Sequence, residues 1–319
     1  MCLVAIAIDQ SRRFPLVVAT NRDEFFDRPA ARLGWWEPGG GAPPVLGGRD
    51  LKAGGTWLGL TAEGRLGLLT NVRDPSRHDA QAPSRGDIVP LWLAGRLSTD
   101  RFWAQTALSG HNGFNLIAAD FRAGDCYFAT NLGALPHRLD RGIHGLSNAG
   151  LDTPWPKVIA LKARMQTALN RHAGVEGLAD ELFDALADRT VATDGALPST
   201  GVPLEVERWL SAAFIRSPDG RYGTRCSTLV ITERVNKRLV THVLERSFST
   251  TGHGALLRRS TMRGWPPRYE RNADGGRLEP AEVVRETVSE AQVDIAVPPQ
   301  VPPVAKRTRV RSLIKPLDR

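Results

Sequence analysis

The residue best suited to chemistry is Cys2, which directly follows Met1. Removal of Met1, the usual outcome when a small residue follows it, leaves a free α-amine beside the thiol. Such an amine has an ordinary pKa of about 7.7–8.0, so near neutrality part of it is unprotonated and can accept a proton. A nucleophile activated by its own N-terminal amine attacks amide or ester carbonyls. The tetrahedral oxyanion that forms then requires donors aimed at it. The plainer reading is that Cys2 is a small buried residue beginning a core strand.

The elements that must position Cys2 are the first to be read from the chain. Residues 3–8 and 16–20 are short apolar runs around the polar, proline-containing segment 9–15, the pattern of a β-hairpin. A turn centred near Ser11 and Arg12 places Cys2 opposite Asn21 or Arg22, with Asp23 one step diagonal. Directly opposed side chains lie about 4.5–5.5 Å apart and diagonal ones about 7–8 Å. The thiol is therefore expected to meet Asn21, Arg22, Asp23 and Glu24 at one strand end. Both faces of the first strand are apolar, Val4, Ile6 and Ile8 on one and Leu3, Ala5 and Ala7 on the other. A strand buried on both sides belongs in the middle of a layered structure.

Further along, residues 34–48 are rich in Gly and Pro around Trp35 and Trp36, and read as a long loop of the kind that forms lids or binding walls. The glycines of residues 47–56 read as tight turns before strands over 56–61 and 65–71. Ser84 and Ser98 are positioned to cap helices over 87–95 and 101–109. Strands are predicted over 114–120 and 125–130. Pro154 and Pro156 sit at the entrance of a helix whose core face is Val158, Leu161, Met165 and Ala168, and Leu178, Leu182 and Leu186 form a second such face. A shorter helix over 204–214 and a closing hairpin of 225–232 with 239–245 around Asn236 complete the folded part.

Several of these segments carry a resemblance. TNRDEFFDRP at residues 20–29, GGRDLKAGGTWLGL at 47–60, LLTNVR at 68–73, SRGD at 84–87 and GLSNAGLDTPWPKV at 145–158, with MCL at the start, are similar in sequence and order to the NRDE-motif family, that of the transport-and-Golgi-organisation-two protein. The family resembles cysteine-type N-terminal-nucleophile (Ntn) hydrolases, which implies an α+β fold, a four-layer αββα sandwich that begins with the catalytic residue. The resemblance implies Arg22 and Asp23 as neighbours of Cys2, with Asp23 orienting the α-amine and Arg22 lowering the thiol pKa. It also implies Asn71 and Asn148 as oxyanion donors and Arg225 as a late-strand arginine close to the nucleophile. The bland readings are a strand-end cap for Asn71, a turn for Asn148 and a structural pair with Glu24 for Arg225.

Composition narrows the remaining possibilities. Half of the net charge of +8 lies beyond residue 293, so the folded part is only mildly basic and no specific nucleic-acid binding is expected. Three widely spaced cysteines, Cys2, Cys126 and Cys226, make neither a disulfide framework nor a C-x-x-C metal site. His111, His137 and His144 match no metal-ligand spacing, so no metal is expected. No apolar run approaches the roughly 20 residues of a membrane span, and the expected location is the cytoplasm. Ser147 in GLSNA is a rival nucleophile, one residue short of a G-x-S-x-G elbow. The expected organisation is one domain over 1–250, then a weakly ordered extension over 251–319 ending in a Pro-rich basic tail. The functional expectation is a hydrolase or acyltransferase for an unidentified amide, thioester or ester, needing no cofactor. The rival is a carrier whose cargo is haem or lipid, with Cys2 or His78 as an axial ligand.

Overall fold

The computed structural model describes residues 2–249, 255–267 and 281–291. Its strands are β1 (Cys2–Ile8), β2 (Leu16–Phe25), β3 (Ala30–Trp36), β4 (Val45–Asp50), β5 (Leu58–Leu60), β6 (Arg65–Asn71), β7 (Phe114–Asp120), β8 (Asp125–Thr130), β9 (His137–Arg138), β10 (Gly142–Leu146), β11 (Tyr222–Val235), β12 (Arg238–Phe248), β13 (Ala255–Arg263) and β14 (Glu282–Ala291). Its helices are α1 (Ile88–Leu93), α2 (Thr99–Ala107), α3 (Pro156–Arg171), α4 (Val175–Leu186) and α5 (Leu204–Leu210).

The strands form two seven-stranded antiparallel sheets, in the orders β10-β1-β2-β11-β12-β13-β14 and β3-β4-β5-β6-β7-β8-β9. Strand alternation divides the core into three layers of contact. Val4, Ile6, Val18, Val230 and Val243 of the first sheet meet Leu46, Leu60, Leu66 and Ile117 of the second. The opposite side chains of the first sheet, Leu3, Ala5, Val17, Ala19 and Leu229, pack under Leu161 and Met165 of α3 and Leu178 and Leu182 of α4. The outer face of the second sheet, Val45, Leu69 and Leu116, is covered by Val89, Trp92 and Leu93 of α1 and Phe102 of α2. This is the four-layer αββα sandwich, and β1, apolar on both faces, lies at its middle.

The hairpin register pairs Cys2 with Arg22, Leu3 with Asn21 and Ile8 with Leu16, within the range read from the sequence. Other boundaries differ. The stretch read as a long loop over 34–48 is sheet at both ends, because β3 and β4 pair Gly34 with Gly47, Trp35 with Leu46 and Trp36 with Val45. Only residues 37–44 connect them. Glycine here serves close approach: a Cβ on Gly47 would lie 2.4 Å from Leu58 O. The helix placed at 87–95 begins with a 3₁₀ turn, Arg85–Asp87, capped by Ser84, before α1. The helix expected to reach residue 214 ends at Leu210.

The expectation of weak order after residue 251 fails for 255–263 and 282–291, which extend the first sheet as β13 and β14. Met262 is fully buried, and so is Trp265, whose Nε1 donates to Thr61 O and whose own carbonyl accepts from Thr241 Oγ1. A sheet-edge strand with one solvated face carries many polar residues, so averaged composition reads it as loop. The proposed basic tail falls, from residue 292 onward, outside the described residues.

Candidate active site

The NRDE sequence is the C-terminal half of β2, and its alternation splits it between two layers. Asn21 turns to the helix side, where its Nδ2 donates to Leu186 O and Ala213 O and its Oδ1 accepts from Ser227 Oγ. It ties β2 and β11 to the helix layer. Asp23 is on the same side, 1% exposed, its Oδ1 accepting from Thr224 Oγ1 at 2.7 Å and its backbone carbonyl accepting from the Tyr222 hydroxyl. Arg22 is on the inter-sheet side with Cys2. Its guanidinium stacks 4.3 Å from the Trp57 ring centroid and lies 3.5 Å from an Asp50 carboxylate oxygen.

Cys2, Arg22, Asp23 and Asn71 all line one cavity of about 650 Å³ at this end of the sandwich. Its outer wall is the segment from His78 to Gly86, and Glu24, Arg28, Asp50, Lys52 and Arg85 add charge to its walls. The outer wall is fixed by reciprocal bonds between Asp79 and Asn112, by Arg85 Nη1 donating to Gly113 O, and by Thr56 N donating to Gly86 O. That last contact requires glycine at 55, where a Cβ would lie 2.1 Å from Gly86 O. The glycine pair in AGGTW thus brings two chain segments together rather than merely turning one.

Two of the anticipated donors differ in role. Asn71 reaches the cavity. Asn148, 1% exposed, instead donates its Nδ2 to the main-chain carbonyl of Asn71 at 2.7 Å, so it fixes Asn71 from behind and does not line the cavity. Arg225 is not among the cavity walls. It is the extra residue of a β-bulge, where the register with β2 slips between Thr224 and Cys226, and a bulge re-aims its side chain. The guanidinium donates to the Phe25 and Arg28 carbonyls and lies over the Phe26 ring, bracing the turn after NRDE. The pair with Glu24 does not form; Glu24 faces Arg22 and Arg28 at 3.9 Å. The rival nucleophile Ser147 is buried and absent from the cavity, its hydroxyl donating to Cys2 O at 3.1 Å.

Arg22 acts on the Cys2 thiol in the direction expected of it, but the thiol pKa is raised overall, because burial outweighs the lowering effects of the N-terminal charge and of Arg22, and Asp23 adds to the rise. Burial likewise raises the Asp23 carboxyl, opposed by the positive charges of Lys157 and Arg73 and by the Thr224 bond. Arg28 and its hydrogen bonds hold Asp50 below the usual carboxylate range despite burial. Arg22 Nη1 is buried in the cavity wall without a hydrogen-bond partner among the described residues. A buried donor left unpaired is costly, and an oxygen brought close to it would relieve that cost.

Sequence reasoning missed three further residues of the cavity wall: Trp57, Asp50 and Arg85. All three lie inside the quoted family segments, in GGRDLKAGGTWLGL and SRGD. The signal was present, but only the tertiary fold shows that these segments converge. Among the described residues no group of three His, Cys, Asp or Glu side chains is placed to hold a metal. None of the described helices is long and apolar enough to cross a membrane.

The sequence model for Transport and Golgi organisation 2 matches residues 1–250. Among curated proteins, the chain is 34% identical to the human Transport and Golgi organization protein 2 homolog over 253 residues, covering 73% of this chain and 89% of that protein. It is 32% identical to the Bos taurus homolog over 299 residues, covering 88% of this chain and 100% of that protein. Among solved structures, it is similar to a Caenorhabditis elegans N-acylethanolamine-hydrolyzing acid amidase ortholog, at TM-score 0.41 and 9% identity over 72% of this chain and 92% of that one. It is also similar to the mutant C2A conjugated bile acid hydrolase from Clostridium perfringens, at TM-score 0.40 and 10% identity over 78% and 89%. With a family match over residues 1–250 and relatives above 30% identity across most of its length, the chain belongs to the Transport and Golgi organisation 2 family.

Proposed function

We propose that the protein is an N-terminal-cysteine hydrolase or acyltransferase acting on an amide, thioester or ester bond. The observation that carries this reading is Cys2 in the wall of a 650 Å³ cavity beside a buried arginine whose Nη1 lacks a partner. In this scheme Met1 is removed, and the α-amine of Cys2 takes the thiol proton as sulfur attacks the substrate carbonyl. Arg22 Nη1 and the Asn71 side chain donate to the carbonyl oxygen as it becomes an oxyanion. The amine returns the proton to the leaving group. Water or another acceptor then takes the acyl group from the thioester. Asp23 orients the amine, and Asn148 and Ser147 hold Asn71 and Cys2 in place through their backbone carbonyls.

The carrier reading has one point in its favour: both candidate axial ligands, Cys2 and His78, line the same cavity. The remaining walls are mixed: Arg22, Glu24, Arg28, Asp50, Lys52 and Arg85 interrupt the apolar surface of Trp57, Leu69, Ala80, Ala82 and Pro83, which leaves little continuous apolar wall for a macrocycle. The hydrolase reading is therefore preferred.

Acyl turnover by the wild type and Cys2→Ala on a panel of amides, thioesters and esters tests this reading, alongside intact mass. The expected result is loss of Met1 from the wild type and a fall in turnover of several orders of magnitude in the variant, with little change in stability. Turnover that survives Cys2→Ala, or active protein that retains Met1, would sink it.

A further inference from the structure

Arg85 opens the 3₁₀ turn Arg85–Asp87 and stands half-buried in the wall of the Cys2 cavity. Ser84 caps the turn, and Arg85 Nη1 donates to Gly113 O at 3.1 Å, so the guanidinium is held at one end. That bond uses one of its five N–H donors. The other two arginines of the wall are already matched with carboxylates. Arg28 pairs with Asp50 at 2.6 Å, and Arg22 lies 3.5 Å from Asp50 and 3.9 Å from Glu24. Arg85 has no carboxylate within ion-pair distance among the described residues. Glu24 attracts it only from farther off, being turned to Arg22 and Arg28. A partly desolvated guanidinium in that state carries a cost that an opposite charge brought into the cavity would offset.

We propose that Arg85 determines the specificity of this cavity, and that the substrate is an acyl compound bearing a carboxylate, which Arg85 binds while Cys2 takes the carbonyl. The role rests on the N-terminal-cysteine reading in placing the reacting bond at Cys2. A planar guanidinium presents parallel N–H donors that match the two oxygens of a carboxylate. The rest of the wall narrows the class. Glu24 and Asp79 also line the cavity and repel a doubly charged group such as a phosphate monoester, so a single negative charge is favoured. Trp57, Leu69, Ala82 and Pro83 offer apolar surface to the remainder of the molecule. The class is thus an acid with an apolar body and an amide, thioester or ester bond within it. A purely structural arginine would only tie the outer wall to the start of β7 through Gly113 O. Glutamine can keep that tie without the charge.

Binding is read by calorimetry in full-length Cys2→Ala protein, which leaves the probes uncleaved. The probes are octyl-chain amides carrying a carboxylate on either side of the scissile bond, each paired with its neutral carboxamide and with a phosphate monoester of the same length. At least one acid is expected to bind about tenfold tighter than its carboxamide, and tighter than its phosphate. Adding Arg85→Gln is expected to bring acid and carboxamide to equal affinity. Acids that bind no better than their carboxamides, or a preference that survives Arg85→Gln, overturn the role. Wild-type turnover that is lost in Cys2→Ala would then still support the hydrolase. A phosphate that binds tighter than its acid overturns the choice of a carboxylate. Conversely, a preference that depends on Arg85, in a protein whose wild type cleaves no amide, thioester or ester, sinks the hydrolase and keeps the carboxylate subsite. Should Arg85→Gln fail to fold, Arg85→Lys keeps the charge but not the planar fork. It is expected to lose most of the preference, and an undiminished preference overturns the proposal.

Discussion

The two ends of strand β1 open onto two cavities of similar size and opposite character. At the Cys2 end, about 650 Å³ is bounded by buried Arg22, Asp23 and Asp50, with half-buried Glu24, Arg28 and Arg85 and exposed Lys52 and Asp79 towards its mouth. At the Ile8 end, about 500 Å³ is lined by Asp9, Asp125, Asp140, Arg138, Arg141 and Arg234 around Leu16, Phe121 and Leu139. The three arginines there are exposed and donate only to backbone carbonyls, of Gly124, Asp9 and Arg12. Both ends are rich in charge; only one removes it from water. Desolvation is what turns a charged residue into a group with a shifted pKa and a strong local field. On that ground the Cys2 end is the one proposed to carry the chemistry.

The largest way to break the comparison is to unbalance the buried end. The Arg73–Glu207 ion pair is almost fully enclosed, and Glu207 also accepts from Thr200 N and Oγ1. Glu207→Ala leaves a buried guanidinium without its carboxylate, which costs about 3–5 kcal/mol. Because Arg73 N also bonds Asn148 O, the segment carrying Asn71 should loosen too. Urea unfolding is the check. A loss below about 1 kcal/mol would mean the charges at this end are better solvated than their burial implies.

The second effect is on turnover rather than stability. Arg22→Ala removes the unpartnered Nη1 and is expected to lower kcat/KM by about 10²–10³. Arg225→Ala, which removes a brace bonded to the Phe25 and Arg28 carbonyls, should act mainly on stability. Equal losses of turnover in both variants would contradict the division of labour between the two arginines.

How much of this was legible beforehand differs by layer. The hairpin register was, because β1 and β2 are local, and their apolar runs leave little choice of alignment. So was the meeting of Cys2 with Arg22 and Asp23. The supporting place of Asn148 behind Asn71 was not, because residues that far apart in sequence are related only by the packing of loops. Arg225 was misplaced because the bulge between Thr224 and Cys226 has no sequence mark. Strands β13 and β14 were missed because strands at and next to a sheet edge, with a solvated face, resemble polar loops in composition.

A smaller effect separates pH dependence inside the sandwich from that at its surface. Glu245 is 2% exposed and accepts from Leu33 N, Thr228 Oγ1 and Ser247 Oγ, yet burial raises its pKa above the ordinary value. A folded-state pKa above the unfolded one contributes stability that is present below the unfolded pKa and is lost as pH rises through the folded pKa. Glu245→Gln removes that loss while keeping an acceptor for Leu33. Relative to the wild type, the variant should therefore gain stability between pH 5 and pH 8, by about 1.4 kcal/mol for each unit by which the carboxyl was raised. Parallel unfolding curves at the two pH values would show that the three donors already offset the burial.

The smallest expected effect is at the Ile8 end, and it sharpens the contrast most. Arg138, Arg141 and Arg234 each hold one backbone carbonyl, and among the described residues none of them forms an ion pair. A single bond from an exposed side chain is close to balanced by the water it displaces. Replacing any one of the three with Ala should change stability by less than about 0.5 kcal/mol. Turnover should be unchanged, since Cys2 lies at the other end of the seven-residue strand β1, roughly 20 Å away at about 3.4 Å per residue. The triple variant is the stricter measurement. It removes three positive charges from one cavity mouth and leaves Asp9, Asp125 and Asp140 there. Because those carboxylates are solvated, the mutual repulsion this creates is screened within roughly 10 Å at ordinary salt. If the triple variant unfolds or loses turnover, charge at this end is coupled to the core as tightly as it is around Cys2. Burial alone would then no longer distinguish the two cavities.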